Sequence, residues 1–119
     1  MISAWRREIG DAKERQARAY LEREGLRFLA QNVRCKRGEL DLVMRDGDTL
    51  VFVEVRYRAS QRFGGAAASV DRRKQIRISA AAAYFLQRHT IALPCRFDVV
   101  AIGPAGQLDW IRHAFVALT

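Results

Sequence analysis

The sequence predicts an α/β domain with a mixed central sheet flanked by helices, its elements in the order αβββαββ. Three observations carry this. Five stretches concentrate β-branched, aromatic and aliphatic residues over strand lengths, among them "ELDLVMR", "TLVFVEVRY" and "CRFDVVAI". Two others repeat apolar residues at helical spacing. One of those helices separates two strands, which calls for a crossover and so for at least one parallel pair. At 119 residues the chain suits a single domain, 1–119, built on one core. No repeat, low-complexity tract or Pro/Ser-rich linker divides it.

The first helix is expected over 9–24, "IGDAKERQARAYLERE", where Ile9, Ala12, Ala17, Tyr20 and Leu21 share a face and Gly25 stops it. "LRFLAQNVRC" reads as a strand of mixed character near a sheet edge. A hairpin follows, with strands at 39–45 and 49–57 and Asp46-Gly47 as the turn. "ASQRFGGAAAS" is a loop; it lacks the Gly-Lys-Ser/Thr ending of a P-loop, so Gly64 and Gly65 serve loop geometry. The second helix spans 70–89, opened by Ser69 or Asp71 as N-cap, and its alanines let it lie close to a sheet. "CRFDVVAI" and the amphipathic "GQLDWIRHAFV" complete the sheet, with Trp110 and Phe115 packing in the core or at a subunit contact.

Charge narrows the function. Lys and Arg number 21 against 13 Asp and Glu, giving a net charge of +8 and a pI near 10.5. A domain this basic gains affinity for a polyanion by releasing its counterions, which points to nucleic acid. No apolar run reaches the roughly 20 residues that cross a bilayer. The start, "MISAWRREIG", has no secretory h-region. A cytoplasmic protein with no membrane partner is expected. Cys35 and Cys95 are too few and too far apart for a zinc site or a disulfide framework and read as reduced, space-filling strand residues. His89 and His113 have no metal-ligand spacing, and neither a Ser-His-Asp nor a Cys-His constellation is visible.

Against that basic background, the hairpin carries Glu39, Asp41 and Glu54 among Leu, Val and Phe. Side chains alternate along a strand. An Asp46-Gly47 turn would pair Asp41 with Phe52 and Glu39 with Glu54. The three carboxylates and Arg56 would then share one face, leaving the other wholly apolar. Carboxylates that close repel and raise one another's pKa values unless a cation joins them. The alternative is a solvated face with ion pairs of Glu39 to Arg37 or Glu54 to Arg56. Glu14 borders the apolar stripe of the first helix, and packing that helix on the acidic face would bring it to the same point. Setting these four acids aside leaves nine against 21 bases. A negative pocket in a basic surface is the layout expected for metal-assisted phosphodiester hydrolysis.

"Asp41…Glu54-Val-Arg56" on adjacent strands, preceded by a helical Glu14, resembles the PD-(D/E)xK nuclease superfamily, with Holliday-junction resolvases the nearest branch. Over nearly its whole length the chain resembles more closely the YraN-type family of small bacterial proteins, usually described as uncharacterised with an endonuclease-like fold. The stretches that carry this are "KERQARAYLEREG", "NVRCKRGELDLVMRDGDTLVFVEVR", "RFGG", "VDRRKQIRISAAAAYFL" and "RFDVVAI". The resemblance implies a restriction-endonuclease-like fold and a Mg²⁺ (or Mn²⁺) ion held by Asp41, Glu54 and the Val55 carbonyl, with Glu14 binding directly or through water. Asp41, Glu54 and Arg56 are the implied catalytic residues. Arg56 stands where the superfamily pattern has Lys, a departure on a catalytic position. Glu39 falls in the family's GE(I/L)D stretch, and Lys74 and Gln75 are accessory candidates at the start of the second helix. Asp98 is a further candidate, as a hydrogen-bond partner of the site. Metal-dependent hydrolysis of structured or branched DNA is thus the leading expectation. A nucleic-acid-binding module decayed at Arg56 is the alternative, and a partner-binding scaffold is a third reading that leaves the charge unexplained. A homodimer is left open.

Overall fold

A computed structural model of the chain describes residues 2–58 and 70–118, with side chains from residue 11 onward. Helix α1 spans Ile2–Arg23, beginning earlier than the apolar spacing predicts and ending where predicted. Gly25 stops it in the left-handed region at φ +100°, where a side chain would be strained. Strands β1 (Arg27–Cys35), β2 (Gly38–Asp46) and β3 (Thr49–Tyr57) follow. Helix α2 is Arg72–His89, and β4 (Cys95–Ile102) and β5 (Leu108–Phe115) close the chain. Asp71 is the α2 N-cap: its carboxylate accepts the Lys74 N–H at 2.8 Å. Ser69, Gly64 and Gly65 lie outside the described residues.

The five strands lie in chain order. β1–β2, β2–β3 and β4–β5 are antiparallel, and β3–β4, joined through α2, is the expected parallel pair. β1 and β5 are the edges. Both faces of the sheet are covered. Ile78, Ala81, Ala82 and Phe85 of α2 pack with Leu40, Val43, Leu50, Phe52, Phe97 and Val99. Ala17 and Leu21 of α1 pack with Leu42, Met44, Val51, Val53, Val100 and Ile102. Trp110 meets Tyr20 edge-on and Phe115 stacks on Phe97, so both aromatics pack against the core. No helix among the described residues is long and apolar enough to cross a membrane.

Two expectations for the hairpin change. The turn is Gly47-Asp48, not Asp46-Gly47: Asp46 pairs with Thr49 and Val43 with Phe52. Gly47, at φ +59°, takes the first central position, as in a type II′ turn. Arg45 closes the turn from outside, its Nε 2.7 Å from the Gly47 carbonyl. The register slips by two residues, which keeps the paired residues from Leu42 to Val53 on their expected faces but changes every partner. Second, α1 does not pack on the acidic side of the hairpin. It covers the Leu42, Met44, Val51 and Val53 set, while α2 covers the side to which Phe52 points.

At Asp41 the alternation itself fails. Leu40 joins the α2 side and Leu42 the α1 side, although residues two apart on a regular strand share a face. The same happens on β1, where Ala30 and Val33, three apart, both meet the α2 side. The pairs Gln31–Leu42 and Val33–Leu40 bracket Asn32 and Asp41, and Asn32 is left-handed at φ +52°. Asn tolerates that conformation better than most residues. Both strands therefore kink side by side at this point.

The α2 helix is held close to β2 by Gly38, which is buried. A Cβ built there would collide with the backbone carbonyl of Arg77, which has no freedom to swing aside. Gly38→Ala is expected to push α2 off the sheet and destabilise the fold by about 2 kcal/mol or more, within the range for overpacking a tight contact. Denaturant unfolding checks it. Stability within about 0.5 kcal/mol of wild type would mean that the helix can shift freely.

Candidate active site

β2 and β3 pair as far as Leu42–Val53. One step further, where the register would set Asp41 opposite Glu54, a side chain takes over from the backbone. The Asp41 carboxylate accepts the Val55 N–H at 2.7 Å through Oδ2. The N–H and C=O of one strand residue point to the same side, so the Val55 carbonyl also faces β2 at this opening.

Glu54 is 4% exposed and points to the α2 side. Lys74 of α2 brings its Nζ to 3.3 Å from Oε2, and Arg56 lies beyond at 3.9 Å. The ammonium near Glu54 thus comes from the first turn of the second helix, delivered by the Asp71 cap. Sequence reasoning weighted Arg56 over Lys74; the fold reverses their distances.

Glu14 reaches Asp41 from the α1 side. Asn32, with its amide nitrogen turned toward Glu14, donates to both carboxylate oxygens at 3.0 and 3.1 Å. Sequence reasoning missed Asn32. Its signal was an Asn inside a strand-length run, a residue that strands disfavour and left-handed kinks accept. Asp41 therefore stands between two acids that approach from opposite faces of the sheet.

The electrostatics follow from that arrangement. Burial pushes the Glu54 carboxyl up to about 8; the Asp41 charge and a hydrogen bond to Asp41 add to the rise, and Lys74 opposes it. Glu14 rises to about 7, again by burial first, then by the charge of Asp41, a hydrogen bond to it and the charge of Asp11, against the Asn32 hydrogen bond. The opposing Lys74 charge at Glu54 and the Asn32 hydrogen bond at Glu14 do not cancel the effect of burial. Among the described residues no group of three or more His, Cys, Asp or Glu side chains is arranged to hold a metal ion, so the cluster is no closed cage.

Several candidates fall elsewhere. Glu39 is exposed and lies 3.6 Å from Arg34, so it leaves the carboxylate cluster in which the expected register placed it. The Gln75 side chain donates to the Val70 carbonyl at 2.9 Å and braces the entry to α2. Asp98, fully buried, accepts Arg96 Nε at 3.0 Å, Trp110 Nε1 at 2.9 Å and the His113 N–H at 3.1 Å. It ties β4 to the irregular stretch of β5 and has its charge met there. His89 and His113 are exposed; Cys35 and Cys95 are half-buried free thiols.

Residues 13–102 match the uncharacterised protein family UPF0102, a stretch that contains Glu14, Asp41, Glu54, Arg56 and Lys74. A UPF0102 protein of Pseudomonas fluorescens is 58% identical over 111 residues, covering 91% of this chain and 92% of the relative. One from Xanthomonas campestris is 58% identical over 117 residues, 96% of each chain. One from Herminiimonas arsenicoxydans is 52% identical over 109 residues, 92% of this chain and 87% of the relative.

The acid cluster sets a sign for stability against pH. Glu54 and Glu14 hold their protons more tightly folded than at the ordinary value of 4.5. The folded state then binds more protons than the unfolded chain between about 4.5 and 8 and loses stability as pH rises through that window. Glu54→Gln cannot ionise. With a chelator present, its melting temperature relative to wild type should climb from pH 5 to pH 8.5 by on the order of 10 °C, about 2 kcal/mol. A difference independent of pH would show that Glu54 is not strained by its neighbours.

Proposed function

We propose that this chain, which belongs to the YraN-type family UPF0102, is a divalent-metal-dependent phosphodiesterase acting on structured or branched DNA. The observation that carries the reading is the meeting of Glu14, Asp41 and Glu54 at the opening between β2 and β3, with Glu14 and Glu54 pushed up by burial and by Asp41, in a protein of net charge +8. Structural acids in proteins are ordinarily satisfied by their partners, as Asp98 is here. Strongly displaced acids at a strand opening mark a functional site instead.

The donors suit Mg²⁺ or Mn²⁺: carboxylate oxygens of Asp41 and Glu54, the Val55 carbonyl, and Glu14 directly or through water. An open set fits such an ion, because Mg²⁺ keeps several waters and needs only one or two protein carboxylates beside substrate phosphate. Bound there, the ion would supply Lewis acidity toward the phosphoryl oxygens and a more acidic water. The chain's own groups have separate tasks. The Val55 N–H holds Asp41 in one orientation at 2.7 Å. Asn32 orients Glu14. Lys74, a compact ammonium 3.3 Å from Glu54, would serve for the Lys of the (D/E)xK pattern, whose own position here is Arg56. It can meet developing charge on the phosphoryl group in a way the planar Arg56 guanidinium, beyond it, does not. That placement favours hydrolysis over the binding module, whose case rested on Arg56.

The test is cleavage of branched, single-stranded and duplex DNA with Mg²⁺ or Mn²⁺. Branched DNA should be cut fastest. Asp41→Asn, which also controls for contaminating nuclease, should abolish cutting, and Lys74→Met should slow it about 100-fold. Arg56→Lys keeps the charge and should change the rate less than about tenfold. Mn²⁺ should raise the melting temperature of the wild type by mass action, and that of Glu54→Gln by less. Tight DNA binding without cleavage on any substrate would establish the binding module.

A further inference from the structure

The outer side of α2 carries a feature that the hydrolytic site does not use. Arg73, Arg77, Ala80 and Tyr84 fall at successive spacings of four, three and four residues, so they form one stripe along the helix. Arg73 and Arg77, with Lys74 and Arg56, line a cavity of about 200 Å³ beside Glu54. Ala80, Ala83 and Tyr84 line a second, open cavity of about 500 Å³, whose far wall is Lys36 and Arg37 of the β1–β2 turn. Gly38 holds these walls together: its close contact with the Arg77 backbone brings its chain neighbour Arg37 beside the helix.

We propose that this face of α2, from Arg73 to Tyr84 and flanked by Lys36 and Arg37, is a track for one unpaired strand of nucleic acid running into the Asp41–Glu54 site. The proposal rests on the nucleic-acid reading of that site and adds the form of the substrate that enters it. Charge is the first argument. Apart from Asp71, spent on the helix cap, the charged side chains lining both cavities are cationic, which matches a phosphate backbone. The second is Tyr84, an aromatic ring 39% exposed at the rim, its hydroxyl steadied by Arg88 at 3.5 Å. Proteins that hold single strands combine a cationic groove with an exposed ring on which a base stacks. A duplex keeps its bases stacked on each other and cannot use the ring. The third is smallness: the alanine side chains let a ribose–phosphate chain lie close to the helix. Arg73 to Tyr84 spans about 16 Å of helix axis, room for a few nucleotides.

The test reads binding without cleavage. Anisotropy of a labelled oligothymidylate of about 12 nucleotides, matched to single-strand site sizes, is measured in chelator beside a duplex of the same length. Tyr84→Ala should weaken single-strand binding about tenfold, the loss expected of one stacked base, and leave the duplex unaffected. Tyr84→Phe should bind as wild type does. The double variant Arg73→Gln/Arg77→Gln should weaken binding and reduce the salt slope by about 1.4, two phosphate contacts on a single strand. All these side chains are exposed, and melting curves confirm folding. The track is overturned if wild type ignores the oligothymidylate, if Tyr84→Ala binds it unchanged, or if the same variant weakens the duplex equally. A protein that shows these binding losses yet never cleaves keeps the track and loses the hydrolytic reading. One that cleaves while the variants bind unchanged keeps hydrolysis and loses the track.

Discussion

The site depends on one hydrogen bond, from the Val55 N–H to the Asp41 carboxylate at 2.7 Å. In an uninterrupted antiparallel ladder that N–H would take a main-chain carbonyl of β2. Giving it to a side chain lets the β2 backbone leave the ladder without stranding a buried donor. The rest follows from that departure. β2 breaks its alternation between Leu40 and Leu42, and β1 breaks beside it at left-handed Asn32. Leu40 is freed to pack under α2, and Gly38 comes against the Arg77 backbone. The kink turns an ordinary hairpin into an opening reached from both sheet faces, with Glu14 arriving from α1 and Lys74 from α2.

Two buried acids of this sheet show how differently one residue type can be used. Asp98 is surrounded by donors: Arg96, the Trp110 indole and the His113 N–H. Arg96 extends the network to Asp46 at 2.9 Å, and only its Nη2 is left buried without a partner. That network ties β4 to β5 and gives each Asp98 carboxylate oxygen a donor. Glu54, equally hidden, has Lys74 and Arg56 on one side but Asp41 on the other, and burial outweighs the cations. Removing charges from water is costly unless partners meet them. The chain tolerates that cost at Glu54 and avoids it at Asp98. The contrast separates an acid met by its neighbours from one whose charge burial and Asp41 disfavour.

The +8 charge acts at two ranges. Over the whole surface it sets up a positive field, which salt screens. Within the fold it is organised by α2, whose outward side carries cations past the opening while its inward side packs on the sheet through Ile78, Ala81, Ala82 and Phe85. One helix thus supplies the core contact, the ammonium at Glu54 and the cationic wall, and the Asp71 cap and Gly38 contact position all three.

Element order, the mixed sheet and most boundaries were legible in the sequence, because hydrophobic period and turn residues are local signals. "CRFDVVAI" is β4 residue for residue, and α1 stops at Gly25 as expected. Glu14, Asp41 and Glu54 were legible as well, since acids are conspicuous among apolar residues in a basic chain. The partners of those acids were not. The turn slid by one residue, and the register by two, because Gly47 satisfies a different turn type from the one assumed, which removed Glu39 from the cluster and set Asp41 against Glu54. The helix faces were assigned to the wrong side because both sides of the hairpin are buried, and periodicity cannot say which helix covers which. Lys74 outranked Arg56 only once Gly38 fixed how closely α2 approaches β2. Sequence determined which acids stand out among apolar strands; long-range packing, a backbone contact between segments some forty residues apart, decided which of them meet.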